Sequence, residues 1–332
     1  MSASLPLSLL RDAELAPPAL RRLAAARAGA AARRHSRTSP ERLDESAGFL
    51  GMGRSLTFPF PQWRDGDEFR TVYFDEGSGP AIVFVHGLGA NATHWEFLAR
   101  ALVGGYRVVG LDLVGCGWSL KPELDYSVEL LRDHLLGFLD RREIGRATLV
   151  GHSLGGAVCL AAALKRPGQF ESLALLCAAG IAPLPAWMRL AAPVFLRRAV
   201  LLPTLVLGAE VIVRNVFADD ERANEQVGWF RRSALRDDPG YPNLRDFARV
   251  CETLCPDVLA RDYGDELGSL HLPLLAVWGD RDKLTRLPAA LRRLDRVRRL
   301  RTVVVERCGH MPMIERPQET LRHLERFLTS PP

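Results

Sequence analysis

From residue 81 onward the chain alternates short, wholly apolar, β-branched runs with longer helix-like segments. AIVFV at Ala81–Val85, RVVGLDL at Arg107–Leu113, ATLVG at Ala147–Gly151 and LLAVWG at Leu274–Gly279 are apolar on both faces, the pattern of strands buried in a parallel sheet. SLALLCAA at Ser172–Ala179 and RTVVVERC at Arg301–Cys308 extend the set. FRTVYFDEG, with Gly77 and Gly79 behind it, predicts a further strand and a turn. The intervals suit crossover helices of a right-handed doubly wound sheet, so the pattern predicts the α/β class with a mostly parallel sheet.

Two stretches break the alternation. Residues 183–263 hold no strand-like run but several helical segments punctuated by Pro193, Pro203, Pro239, Pro242 and Pro256, as expected of an inserted helical cap. Its first half, LAAPVFLRRAVLLPTLVLGAEVIV, is apolar but broken by Arg197, Arg198, two prolines and Glu210, so it is too interrupted to span a bilayer and better suited to facing an apolar pocket. Residues 1–54 are rich in Ala and Arg and pass into the polar stretch HSRTSPERLDESAG, an appendage by composition. The expected organisation is an N-terminal extension at 1–54, a core at 55–182 and 264–332, and a cap at 183–263.

Composition narrows the partners. The chain of 332 residues is 47% hydrophobic and 25% charged, proportions of a water-soluble globular protein. Its net charge of +5 gathers largely before residue 55, in Arg11, Arg21, Arg22, Arg27, Arg33, Arg34, Arg37, Arg42 and Arg54, leaving the rest near neutral. A solvated tail explains this better than a nucleic-acid surface, and the same extension is a candidate for weak membrane-surface contact. The six scattered cysteines form neither a disulfide framework nor a paired zinc pattern, so reduced thiols, no metal and no cofactor are expected. The N-terminus lacks a basic region ahead of an apolar run, which points to a cytoplasmic location. Oligomeric state is not legible.

Chemistry concentrates at Gly151-His152-Ser153-Leu154-Gly155. A strand-like TLV precedes it and a helix-like AVCLAAALKR follows, the context in which a strained turn thrusts a serine out of a sheet edge as a nucleophile. A serine hydroxyl needs a base, and the base an orienting acid. WGDRDKL supplies Asp280 or Asp282 after one strand, and ERCGHMPMIERP supplies His310 after the next. Both fall at strand carboxyl ends, where open α/β sheets build their sites.

From Tyr73 to the C-terminus, outside most of the cap, these motifs resemble cap-bearing serine hydrolases of the α/β-hydrolase fold superfamily. The resemblance implies Asp282 as the acid, His310 as the base, and His86-Gly87-Leu88-Gly89 as an oxyanion loop whose donors are the amides of Leu88 and Leu154. It also matches DLVGCGWS at Asp112–Ser119 to the family's turn after the fourth strand. His86 is then a support of the loop and His152 a neighbour of the nucleophile. His152, Trp118 and Trp187 are candidates for lining the substrate pocket.

The expected activity is hydrolysis of a carboxylic ester, or a related acyl bond, of a small apolar substrate through an acyl-enzyme. A carbon–carbon bond hydrolase of aromatic degradation is the alternative, although members of that group usually carry tryptophan after the histidine, where this chain has Met311. Dehalogenases and epoxide hydrolases of the fold use aspartate at the position of Ser153. A cofactor-free haloperoxidase, an acyltransferase and a non-catalytic ligand-binding member of the fold complete the field.

Overall fold

Eight strands pair into one sheet: β1 (Arg54–Pro59), β2 (Glu68–Glu76), β3 (Ala81–Val85), β4 (Arg107–Leu111), β5 (Ala147–His152), β6 (Phe170–Leu176), β7 (Leu274–Gly279) and β8 (Leu300–Val305). Their spatial order is β1-β2-β4-β3-β5-β6-β7-β8. β2 is antiparallel to both its neighbours, β1 and β4, and every other pairing is parallel. The structure, a computed structural model, describes residues 54–59, 68–182, 186–201, 211, 214–218 and 244–332. Residues 1–53 of the expected extension lie outside the described set, and Arg54 already opens β1.

The helices are α1 (Glu96–Leu102), α2 (Val128–Arg141), α3 (Leu154–Lys165), α4 (Ala186–Phe195), α5 (Leu244–Ala260), α6 (Leu287–Leu294), α7 (Pro312–Glu315) and α8 (Pro317–Thr329). Alternate residues of each strand serve opposite layers, as a period of two requires. Val83, Val85, Leu149, Leu173 and Leu175 join the cluster containing α2, α3 and α6, while Ile82, Phe84, Val150, Ala174 and Leu176 join that of α1 and α8. This double burial is why the central strands read as continuous apolar runs. α3 buries ten of its residues and so carries no polar stripe. α2 starts where the Ser127 hydroxyl caps the Leu130 amide.

Described residues of the 183–263 interval are helical or irregular, and part of the interval is fastened into the core. Val250 and Leu254 of α5 are buried in the cluster of α2 and α3. Thr253 and Asp257 accept the amides of Tyr126 and Val128, so α5 also caps the start of α2. Phe217 is buried in the opposite cluster.

Two buried imidazoles tie the loops at the carboxyl ends of β3 and β4. His134 accepts the Val114 amide at Nδ1, which leaves the proton on Nε2 to bond Thr71 Oγ1 at 2.7 Å. His86 accepts the Leu113 amide at Nε2 and donates from Nδ1 to the Gly87 carbonyl. Both rings are therefore neutral, and burial pushes their pKa values down to about 3 and about 4. Unfolded, each titrates near 6.5, so the unfolded chain binds more protons below that pH. The stability these rings contribute is present above pH 6.5 and is lost as pH falls toward 4. In His134→Gln, the pH dependence of unfolding free energy between pH 6 and 4.5 is expected to be shallower than wild type by about 1.4 kcal/mol per pH unit. Denaturant titrations at several pH values measure this, and equal slopes would refute it.

Candidate active site

Ser153 sits between the last residue of β5 and the first of α3 with φ 51° and ψ −117°, a backbone geometry that side chains rarely adopt. The turn is held there by bonds on both sides. Its amide donates to Leu176 of β6, and its carbonyl accepts the amides of Gly156, Ala157 and Ala179. The helix must press against the oxyanion loop: a β-carbon at Gly155 would lie 2.2 Å from the Val85 carbonyl oxygen and 2.5 Å from that of His86. Only glycine fits. The serine's own β-carbon comes correspondingly near Gly87.

Of the two candidate acids, Asp282 meets the histidine. Its Oδ2 lies 2.9 Å from His310 Nδ1. Asp280, one turn of loop away, is exposed and accepts the Cys308 amide. The Asp282 side chain is fully buried, yet its pKa falls to about 2. Burial acts to raise it, but the bonds from His310, Thr285 Oγ1 and the amides of Leu284 and Thr285 together outweigh burial. Four donors thus hold a carboxylate, ionised, against one face of the imidazole. With Nδ1 engaged, Nε2 is the nitrogen left to serve a substrate or a hydroxyl.

His310 is in turn gripped through its main chain. His152, beside Ser153, donates from Nε2 to the His310 carbonyl at 2.8 Å, and the two rings stand 4.8 Å apart. Burial first, and the neighbouring His310 second, keep His152 well below the ordinary histidine pKa, so it is a neutral strut. It ties the serine's turn to the histidine's loop.

The expected oxyanion donors lie on the same rim. Leu88 is at the tip of a turn closed by the Ala90 amide on the Gly87 carbonyl, and it is 37% exposed. Leu154 is the first residue of α3, so its amide belongs to the unpaired set at a helix start, where the helix dipole is positive. The turn after β4 is braced by Asp112, which accepts the amides of Ala92 and Trp118 and whose carboxyl burial pushes up to about 6. Trp118 thus enters this turn through its main chain. Trp187, on α4, is 70% exposed.

Three participants escape a reading of the sequence. Thr285 holds Asp282, Phe247 of α5 lays its ring beside Gly89 of the oxyanion loop, and the buried Glu315 bonds the amides on both sides of His310. Cys177 Sγ, Asp282 and His310 also lie within 4.8 Å of one another, a grouping that could hold an ion. The chemistry of the donors does not fit one. Burial keeps the thiol protonated, His310 Nδ1 is spent on Asp282, and the carboxylate is already saturated. Among the described residues no helix is long and apolar enough to cross a membrane.

The chain is similar to known proteins over most of its length. It is 29% identical over 267 residues to a pimeloyl-[acyl-carrier protein] methyl ester esterase from Aeromonas hydrophila, covering 76% of this chain and 96% of that one. A solved esterase from Thermogutta terrifontis shares the fold with a TM-score of 0.69 at 22% identity, over 83% of this chain and 98% of the other. A meta-cleavage product hydrolase from Pseudomonas fluorescens matches with a TM-score of 0.64 at 25% identity, over 79% and 94%. The model of the alpha/beta hydrolase family matches residues 82–323, and the chain belongs to that family.

Proposed function

We propose that the chain is a serine hydrolase that cleaves a carboxylic ester, or a related acyl bond, of a small apolar substrate. The observation that carries this reading is the His310–Asp282 pair, built on loops of β8 and β7 and strapped through His152 to the strained turn that bears Ser153.

In the proposed mechanism Ser153 Oγ attacks the acyl carbon while His310 Nε2 takes its proton. The tetrahedral oxyanion is met by the amides of Leu88 and Leu154, fixed before the reaction starts; one such donor is typically worth about 3 to 4 kcal/mol of barrier. His310 returns the proton to the leaving alcohol, and water, deprotonated by the same nitrogen, resolves the acyl-enzyme. Asp282 holds the ring in the tautomer that leaves Nε2 free and stabilises the imidazolium. The aromatic ring of Phe247 beside the oxyanion loop and the exposed Leu88 give the entrance an apolar lining, which favours an apolar acyl or alcohol group.

The second reading is hydrolysis of a carbon–carbon bond. It draws on the meta-cleavage product hydrolase and on a 35% identity over 116 residues with a 2-hydroxymuconate semialdehyde hydrolase from a Pseudomonas species, which spans only 34% of this chain. The esterase reading takes precedence because position 311 holds a methionine buried in the α1 and α8 cluster instead of the tryptophan that the resemblance would ask for.

Ser153→Ala is expected to abolish labelling by a fluorophosphonate and to lower turnover at least 10⁴-fold, and Asp282→Asn, by offering the wrong tautomer, to lower it by about 10⁴. Labelling of folded Ser153→Ala at the wild-type rate would remove the serine from the mechanism. A panel of aryl esters of rising acyl length, beside a ring-fission dienone and a lactone, should show kcat/KM highest for an ester. A dienone cleaved far faster than any ester would install the second reading in its place.

A further inference from the structure

We infer that Glu315 is a positioning residue for the His310 base, and that it does this work together with the cap segment at residues 216–218. The inference rests on the reading of His310 as the base.

The loop that carries His310 lies between β8 and α7 and has no ladder or helix to order it. Its polar main-chain groups are bonded one by one. Glu315 Oε1 accepts the amide of Gly309 at 3.0 Å and that of Met311 at 3.2 Å, one residue to either side of the histidine. The His310 amide itself donates to the Val216 carbonyl at 2.8 Å, and the His310 carbonyl accepts from His152. The other oxygen of Glu315, Oε2, accepts the Ala218 amide at 2.8 Å. One carboxylate therefore joins the histidine's loop to the cap segment, and that segment also bonds the histidine directly.

Several features mark this as more than a convenient contact. Glu315 is only 3% exposed, and a carboxylate withdrawn from water is costly unless its oxygens are satisfied, here by main-chain amides. The segment is anchored by Phe217, buried between the two bonding residues. Gly309 completes the fit: a β-carbon there would stand 2.6 Å from the Val216 oxygen, 2.7 Å from the Ala218 nitrogen and 2.9 Å from Glu315 Oε1. The segment crosses so close to the loop that any side chain at 309 would lift one off the other. The histidine's backbone is thus fixed by a part of the chain that sequence places nearly a hundred residues away, within the expected cap.

Glu315→Gln tests this with little change of volume. Its remaining carbonyl oxygen can serve either the Gly309 and Met311 amides or the Ala218 amide, while its NH2 must face an N–H donor on the other side. The expected result is a fall in kcat of tenfold to a hundredfold with KM within about twofold of wild type, the scale of a catalytic group displaced by about an ångström. Fluorophosphonate labelling of Ser153 should slow by a similar factor. The downfield proton resonance of the His310 Nδ1–H on Asp282 should broaden or vanish, which a merely structural role would leave in place once folding is confirmed by circular dichroism. If Glu315→Gln does not fold, Ala218→Pro, which removes the cap's donor while fixing φ at that residue, carries the same expectation once its folding is confirmed by circular dichroism. Wild-type kcat and an intact resonance in the folded variant, with His310→Ala inactive, would overturn the inference alone. An active His310→Ala would instead overturn the base reading beneath it.

Discussion

The site depends on how closely two backbones can approach. At Gly155 the first turn of α3 runs against the carbonyls that end β3, with no room for a single carbon between them. That contact forces the turn at residue 153 into left-handed geometry, lifts the serine side chain off the sheet, and brings the start of the helix beside the loop that carries Leu88. The exposed turn at Ser153 and the nearness of the helix start to the loop of Leu88 therefore share one steric contact. The surrounding bonds at Ser153, from β6 and from α3, keep the strain from relaxing.

Charge is organised around the same rim with economy. Asp282 is the carboxylate kept ionised in the buried centre, and four donors are spent on keeping it so. The nearby histidines at 86, 134 and 152 are held neutral, the first two bonded at both ring nitrogens and His152 at Nε2 alone, their tautomers fixed by what they bond. On the proposed mechanism an imidazolium forms at His310, which a protonated neighbour would repel and neutral rings do not.

Much of this is legible along the chain, and the limits have physical causes. The central strands are readable because burial on two faces makes them mostly apolar, the buried hydroxyls of Thr148 and Ser172 bonding each other within the sheet. Ser153, Asp282 and His310 are readable because each stands just past such a strand, in an order the chemistry requires. β1 escapes because the alternation in RSLTFP runs over only four residues, Ser55 to Phe58, and ends in a proline that an edge strand tolerates. Thr285, Phe247 and Glu315 escape because their roles arise from contacts between distant segments, which no local pattern encodes.

The bond from the Val216 carbonyl to the histidine's amide bears on how such enzymes diversify. A lid is commonly regarded as an exchangeable module that can be swapped to alter specificity while the machinery below is retained. In this chain a graft that lacked an acceptor at residue 216, or a donor at residue 218, would leave the His310 amide and the Glu315 carboxylate each short of a partner, and on the proposed mechanism would disturb the base along with the lid.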